Sequence, residues 1–214
     1  MIAYVSAMCL LWFSFYTTIM FEELFKHIRQ KIEISEREEE VCRSLFIPKK
    51  FRKRQYLLQQ GDVSKYTAFV EKGLLRSYII DDKGTEVIMQ FAPEGWWVGD
   101  IYSNLTGEAS EYNIDAIEET ETLLLTNQAY EQLLQKAPVF ERYFRLLIQN
   151  SFIAIQRRLK ANIVLSAGEK YKNFINLYPN IAQRVPQHSI ASFLGITPES
   201  LSRIRRQLTN ADKS

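Results

Sequence analysis

Apolar and polar positions change period twice along this chain. Residues 21–34 and 35–45 carry helical spacing, and Ser35 followed by Glu38 three positions later is the start signal of the second helix. From about residue 47 to 125 the pattern shortens into runs rich in β-branched and aromatic residues. Residues 66–70 and 74–80 read as strands, Asp81–Asp82–Lys83–Gly84 as a hairpin turn, and residues 86–91 as the returning strand. Turn signals recur at residues 60–62, 71–73 and 92–95. Short strands with turns between them predict a β-barrel or jelly roll.

The third pattern is one long helix, from Pro138 to about Val164, with no Pro or Gly inside it. Phe140, Phe144, Ile148, Phe152, Ile155, Leu159 and Ile163 form one apolar stripe, and Tyr143, Leu146, Leu147, Ile153 and Ala154 broaden it to a second face. A helix apolar on two sides needs two partners. One face suits its own barrel; the other suits the same helix of a second subunit, packed as a parallel coiled coil.

The most informative stretch covers residues 186–208. Ile190, Phe193 and Leu194 give a first short helix one apolar face, with Ala191 small enough for a second helix to cross closely. Gly195 suits the left-handed residue that ends a helix. Thr197 offers an N-cap oxygen and Pro198 fits the first helical position. Leu201, Ile204 and Leu208 then face back to the first helix, leaving Ser200, Ser202, Arg203 and Arg206 on other faces. This is the layout of a helix-turn-helix that places its second helix in the DNA major groove.

Charge sharpens that reading. The net charge of +2 over 214 residues is too small to imply nucleic acid by itself, but residues 168–214 hold seven Lys/Arg against three acids. Cys9 and Cys42 have no metal-ligand spacing, which fits a reducing, cytoplasmic setting. The first twenty residues carry no charged side chain. Their length permits a membrane span, but neither a basic leader nor a cleavage site is clear, and Met20 could be the native start. Three readings stay open: an upstream extension, a packed or disordered segment, and a membrane tether.

A β-roll, a long helix and a C-terminal helix-turn-helix in this order resemble the Crp–Fnr family of transcriptional regulators. The resemblance rests on Gln59–Gln60–Gly61–Asp62, Glu71–Lys72–Gly73–Leu74–Leu75–Arg76, Gly95–Trp96–Trp97–Val98–Gly99–Asp100 and the 190–208 motif. It implies an α+β chain: residues 21–137 a cyclic nucleotide-binding-like sensory roll, 138–165 the dimerisation helix, and 166–214 a winged helix-turn-helix domain. It implies a homodimer on a two-fold symmetric double-stranded operator, with RNA polymerase as a further partner. Arg203 matches the recognition-helix arginine of the family, Ser200 a small hydroxyl beside it, and Glu199 an acid able to accept from cytosine N4. Pro198 stands where relatives often place an arginine, so the operator is expected to differ. Arg205 and Arg206 are expected on phosphates, and His188, Thr197 and Ser202 are further contact candidates.

The effector position departs further. In cyclic-nucleotide-binding relatives a Gly-Glu pair precedes a short helix, and an Arg-Ser pair follows it. Here the first pair reads Gly99–Asp100 and the second is aligned to Glu111–Tyr112. No Lys or Arg occurs between Asp100 and Leu125, so tight binding of cyclic AMP is not expected. Trp96, Trp97, Tyr102 and Tyr112 are candidates to line an apolar pocket, against a reading as barrel core or surface packing. The effector is not identifiable, and no cofactor or metal is expected, since the cysteine cluster for iron–sulfur ligation is missing. The competing class, a metal-dependent barrel enzyme, needs several histidines in the barrel; the chain has only His27 and His188, both outside it. A regulator using a non-standard nucleotide pocket, and a membrane-tethered sensor, remain alternatives.

Overall fold

The computed structural model of the protein describes residues 21–211. The apolar first twenty residues lie outside that range, and so do the expectations made for them. The element order is α1 (Glu22–Arg29), α2 (Glu36–Leu45), β1 (Ile47–Phe51), β2 (Tyr56–Leu58), β3 (Tyr66–Lys72), β4 (Leu75–Ile80), β5 (Glu86–Ala92), β6 (Trp97–Val98), α3 (Ile101–Thr106), β7 (Asn113–Ala116) and β8 (Thr120–Thr126). Helices α4 (Asn127–Lys136), α5 (Val139–Val164), α6 (Ala167–Leu177), α7 (Pro179–Arg184), α8 (Gln187–Leu194) and α9 (Pro198–Ala211) follow. The described residues divide into two compact units: 21–77 with Ala92–Leu146, and Tyr78–Phe91 with 147–211.

The first unit is built on a β-roll. Two four-stranded sheets, ordered β1-β8-β3-β6 and β2-β7-β4-β5, supply its strands. Strand β8 pairs antiparallel with both β1 (Ile47↔Leu124) and β3 (Ala68↔Leu124), so Leu123, Leu124 and Leu125 are all buried. Phe51, Leu58, Val70, Leu75, Val98 and Ile114 fill one core cluster. Gly73 carries φ +99°, and a Cβ there would meet the Glu119 carbonyl oxygen at 2.6 Å, so only glycine fits between β3 and β4.

Helix α1 buries Leu24, Phe25 and Ile28. Its first turn has no cap of its own; Glu71 at the end of β3 accepts from the backbone N–H groups of Glu23 (3.0 Å) and Leu24 (2.8 Å) instead. The helix stops at Arg29, short of the expected residue 34. The reason is the next helix, whose Ser35 must be extended (ψ 162°) to close its capping box with Glu38. Helix α5 begins in this unit, where Phe140 and Tyr143 are buried. Tyr143 Oη receives the Trp97 indole N–H (3.1 Å) and lies 2.8 Å from His27 Nδ1, while Lys31 Nζ lies 3.0 Å from His27 Nε2. A charged ammonium only donates, so Nε2 accepts and Nδ1 carries the ring proton.

The second unit packs a ring cluster of Phe91, Phe174 and Phe193, with centroids 5.3–6.5 Å apart. Ser166 and Glu169 form the capping box that starts α6. Two expectations change here. The hairpin residues Tyr78–Phe91 group with the C-terminal helices rather than with the roll. The expected wing is missing among the described residues: no strand follows β8, and the link from α6 to α8 is the short helix α7, opened by Pro179 at its first position.

Candidate nucleic-acid interface

The geometry of residues 187–211 follows from a few local requirements. Helix α8 buries Ile190, Ala191 and Leu194. Gly195 ends it with φ +64° and ψ +38°, and the Ile196 N–H returns to the Ala191 carbonyl at 3.0 Å. Thr197 Oγ1 accepts the Ser200 N–H at 3.2 Å, which caps α9. The Thr197 hydroxyl donates to Ser200 Oγ at 3.1 Å and leaves the Ser200 O–H available. Leu201 and Ile204 are buried against the preceding helices.

Polar side chains are left outside. His188, Thr197, Glu199, Ser202, Arg203, Arg205 and Arg206 are exposed, and Ser200 is half-buried. Glu199, Arg203 and Arg206 are spaced by four and three, so they share one face of α9. On the neighbouring face, Ser202, Arg205, Arg206 and Thr209 line a groove with Pro198 and with Gln187 at the start of α8. Gln187 Oε1 is buried there with no hydrogen-bond partner among the described residues. Two guanidinium groups, Arg205 and Arg206, beside the start of α8 suit an anionic backbone.

The sensory position of the roll is closed upon itself. Asp100 is buried; it accepts the Ser103 N–H (3.2 Å), which caps α3, and the Ser110 hydroxyl (2.7 Å). Ser103 Oγ accepts the Ser64 N–H at 2.9 Å and donates to the Glu108 carbonyl. A Cβ on Gly99 would lie 3.2 Å from Thr67 Cα. Arg76 holds the buried Asp115 in a fork of 2.7 and 3.1 Å.

Residues 48–137 match the cyclic nucleotide-binding domain family. Over 167 residues the chain is 25% identical to the fumarate and nitrate reduction regulatory protein of Vibrio cholerae, covering 73% of this chain and 66%, just under two thirds, of that relative. Its fold is similar to that of FixK2 from Bradyrhizobium japonicum (TM-score 0.69, 19% identity, 78% of this chain and 86% of that one). It is also similar to the c-di-GMP responsive global regulator CLP of Xanthomonas campestris (0.67, 14%, 82% and 92%). A third similar structure is a regulator ascribed to the Crp/Fnr family from Eubacterium rectale (0.63, 16%, 83% and 85%). Residues 48–137 thus match the cyclic nucleotide-binding domain family, and the fold is similar to that of Crp/Fnr-type regulators.

The chain departs from the expected sensory site in three places. Trp97 does not line a pocket beside Asp100: Val98 points into the roll core, so Trp97 points to the opposite face, against Phe46, Phe69 and Phe144. Glu111 is exposed and Tyr112 half-buried; the residue that faces Asp100 is Ser110, one position earlier. Sequence spacing alone does not fix which residue of a loop turns inward, and the cue was only that Ser110 is small and polar. Asn113 holds the Gln60 N–H through Oδ1 (3.1 Å), while its buried Nδ2 has no partner. Among the described residues no group of His, Cys, Asp or Glu is placed to hold a metal ion.

Proposed function

We propose that this chain is a Crp–Fnr regulator: a homodimeric, sequence-specific DNA-binding regulator of transcription. The observation that carries the reading is α8–Gly195–α9: two packed helices with a glycine turn, a capped second helix, and Glu199, Ser200, Arg203, Arg205 and Arg206 left outside. Arg203 and Glu199 read base edges; Arg205 and Arg206 hold phosphates; His188, Thr197 and Ser202 supply further contacts. A homodimer is supported by the outer stripe of α5, where Ile148, Phe152, Ile155, Leu159 and Ile163 are each at least 60% exposed in the single chain. Such a stripe on a helix needs a partner, and two-fold readers need two heads. RNA polymerase is the further partner of such a regulator, and the cytoplasm its place. No helix among the described residues is long and apolar enough to cross a membrane.

The domains follow: a sensory roll (21–137), a dimerisation helix (138–165) and a reading head (166–214). The sensory position does not fit cyclic AMP. A nucleotide phosphate placed against α3 would meet the Asp100 carboxylate, and the Arg76 guanidinium is already committed to Asp115.

Selection of binding sites from random duplex DNA, run at two salt concentrations, tests the reading. A two-fold symmetric consensus that weakens as salt rises is the expected result. Recovery of no consensus, with and without cell extract as a source of effector, overturns it. Calorimetric titration with cyclic AMP and with c-di-GMP tests the sensory reading; micromolar binding of cyclic AMP would refute it.

A further inference from the structure

Strand β5 is the outer strand of its sheet, ordered β2-β7-β4-β5, so one row of its backbone groups has no strand to pair with. Such an edge is either covered or left as a template for association. Here two side chains from helices cover it. Ser192, on α8, donates its hydroxyl to the Glu86 carbonyl (2.8 Å) and accepts the Ile88 N–H (3.0 Å). Those two groups, two residues apart on a strand, face the same side, and a single hydroxyl bridges them as a neighbouring strand would. Arg158, on α5, donates to the Ile88 carbonyl (3.3 Å) and to that of Met89.

The same guanidinium also closes the end of α8. It donates to the Phe193 carbonyl at 3.3 Å and lies 4.3 Å from the centre of the Phe193 ring. The last carbonyls of a helix have no partner within it. The Ala191 and Ser192 carbonyls are taken by Ile196 and Gly195. That of Phe193 is taken by Arg158, a cation at the negative end of the helix. The ring itself packs on Phe91 of β5 and on Phe174 of α6. Lysine could not do this, because its ammonium lacks the planar fork that serves three carbonyls and a ring face together.

We infer that Arg158 and Ser192 are positioning residues for DNA reading: they rivet α8 to the edge of β5, so that the β4–β5 hairpin sets the attitude of the recognition helix. The inference rests on the reading of α8–α9 as the DNA head. The rivet leaves the reading surface open, since Glu199, Arg203 and Arg206 remain exposed, so it orients the head and does not mask it. It also gives the hairpin a role the roll alone does not explain. A displacement of β4 and β5 carries α8 with it, and α9 follows through the four bonds of the Gly195 turn and Thr197 cap.

The test uses the full chain and the operator recovered by selection. Binding is measured by fluorescence anisotropy, and backbone exchange of Ile88 by hydrogen–deuterium NMR. In the native protein the Ile88 amide is protected; in Ser192→Ala it exchanges at least tenfold faster, and in Ser192→Thr, which keeps the hydroxyl, it does not. Arg158→Ala and Ser192→Ala each weaken operator binding by about tenfold, the loss set by hydrogen bonds to a charged or buried group, while exposed Arg157→Ala leaves it unchanged. A rivet that is only structural would lower the melting temperature and leave affinity well below that temperature at the native value, which overturns the inference. So does a fast-exchanging Ile88 amide in the native protein, a result that needs no variant to fold. If the native chain selects no operator, it is the DNA reading that fails; if it binds and the variants bind equally, only the rivet does.

Discussion

Two half-buried titratable side chains in the roll unit give the protein opposed responses to acid. Burial pushes the Glu71 carboxyl up to about 7, against the two backbone N–H bonds that favour its charged form, with Glu22 and Glu23 adding repulsion. Burial, with Lys31 beside it, pulls His27 down to about 4. For Glu71 the folded value lies above the unfolded one. Its contribution to stability is therefore fully present below about pH 4.5 and is lost as pH rises through about 7. For His27 the folded value lies below the unfolded one. Its contribution is present above about pH 6.5 and is lost as pH falls towards 4. Between pH 5 and 6.5 the two slopes oppose each other. Melting curves at stepped pH check this: on acidification from pH 7 to 5, Glu71→Gln should lose stability and His27→Gln should gain it. Identical pH slopes in the native protein and both variants would show that neither group titrates in this window. The proposed reading surface is tested at the same scale, one residue at a time. Arg203→Ala should cost on the order of 1–3 kcal/mol on the selected operator and relax preference at one base position. An equal loss on every sequence in a competition assay would place Arg203 on phosphate instead.

At the scale of elements, what could be read in the sequence was whatever one segment decides alone. Ser35–Glu38, the Asp81–Gly84 turn, Gly195 and Thr197 act through neighbours a few residues away, and the structure has each of them in that role. The partners that lie far off were not legible. Ser192 meets Glu86 across 106 residues and Arg158 meets Ile88 across 70, and no local period announces either. Ser110 against Asp100 failed for a different reason: a loop of that length allows more than one residue to turn inward. The α5 stripe is the element where sequence and structure combine most usefully. Its first half, at Phe140 and Tyr143, is buried within the chain, and its second half, from Ile148, is bare. Leu159 at 60% exposure is the test position. A leucine fully buried by association contributes about 1.5–3 kcal/mol, and a two-fold seam buries it twice. Leu159→Glu should therefore raise the dimer dissociation constant by roughly 100-fold or more by sedimentation equilibrium. An unchanged dimer would move the seam off this stripe, and a native chain that sediments as a monomer would remove the dimer.

The whole molecule joins these parts through charge and symmetry rather than through net charge, which is only +2. The roll's segment from Asp100 to Leu125 has seven acids and no Lys or Arg, whereas residues 168–214 are basic. A dimer that reads DNA through two such heads should show an electrostatic footprint that can be counted head by head. Each phosphate neutralised on B-DNA adds about 0.9 to the slope of log K against log salt. Arg206 is exposed at the edge of the groove that Gln187 and Arg205 share, and its removal deletes one such contact per head. Arg206→Ala should thus lower the salt slope of operator binding by about 1.8 per dimer while leaving the selected consensus intact. A fall of only about 0.9 would mean that a single head engages the duplex. A changed consensus with an unchanged slope would place Arg206 on a base edge and leave the phosphate-holding role to Arg205 and the start of α8.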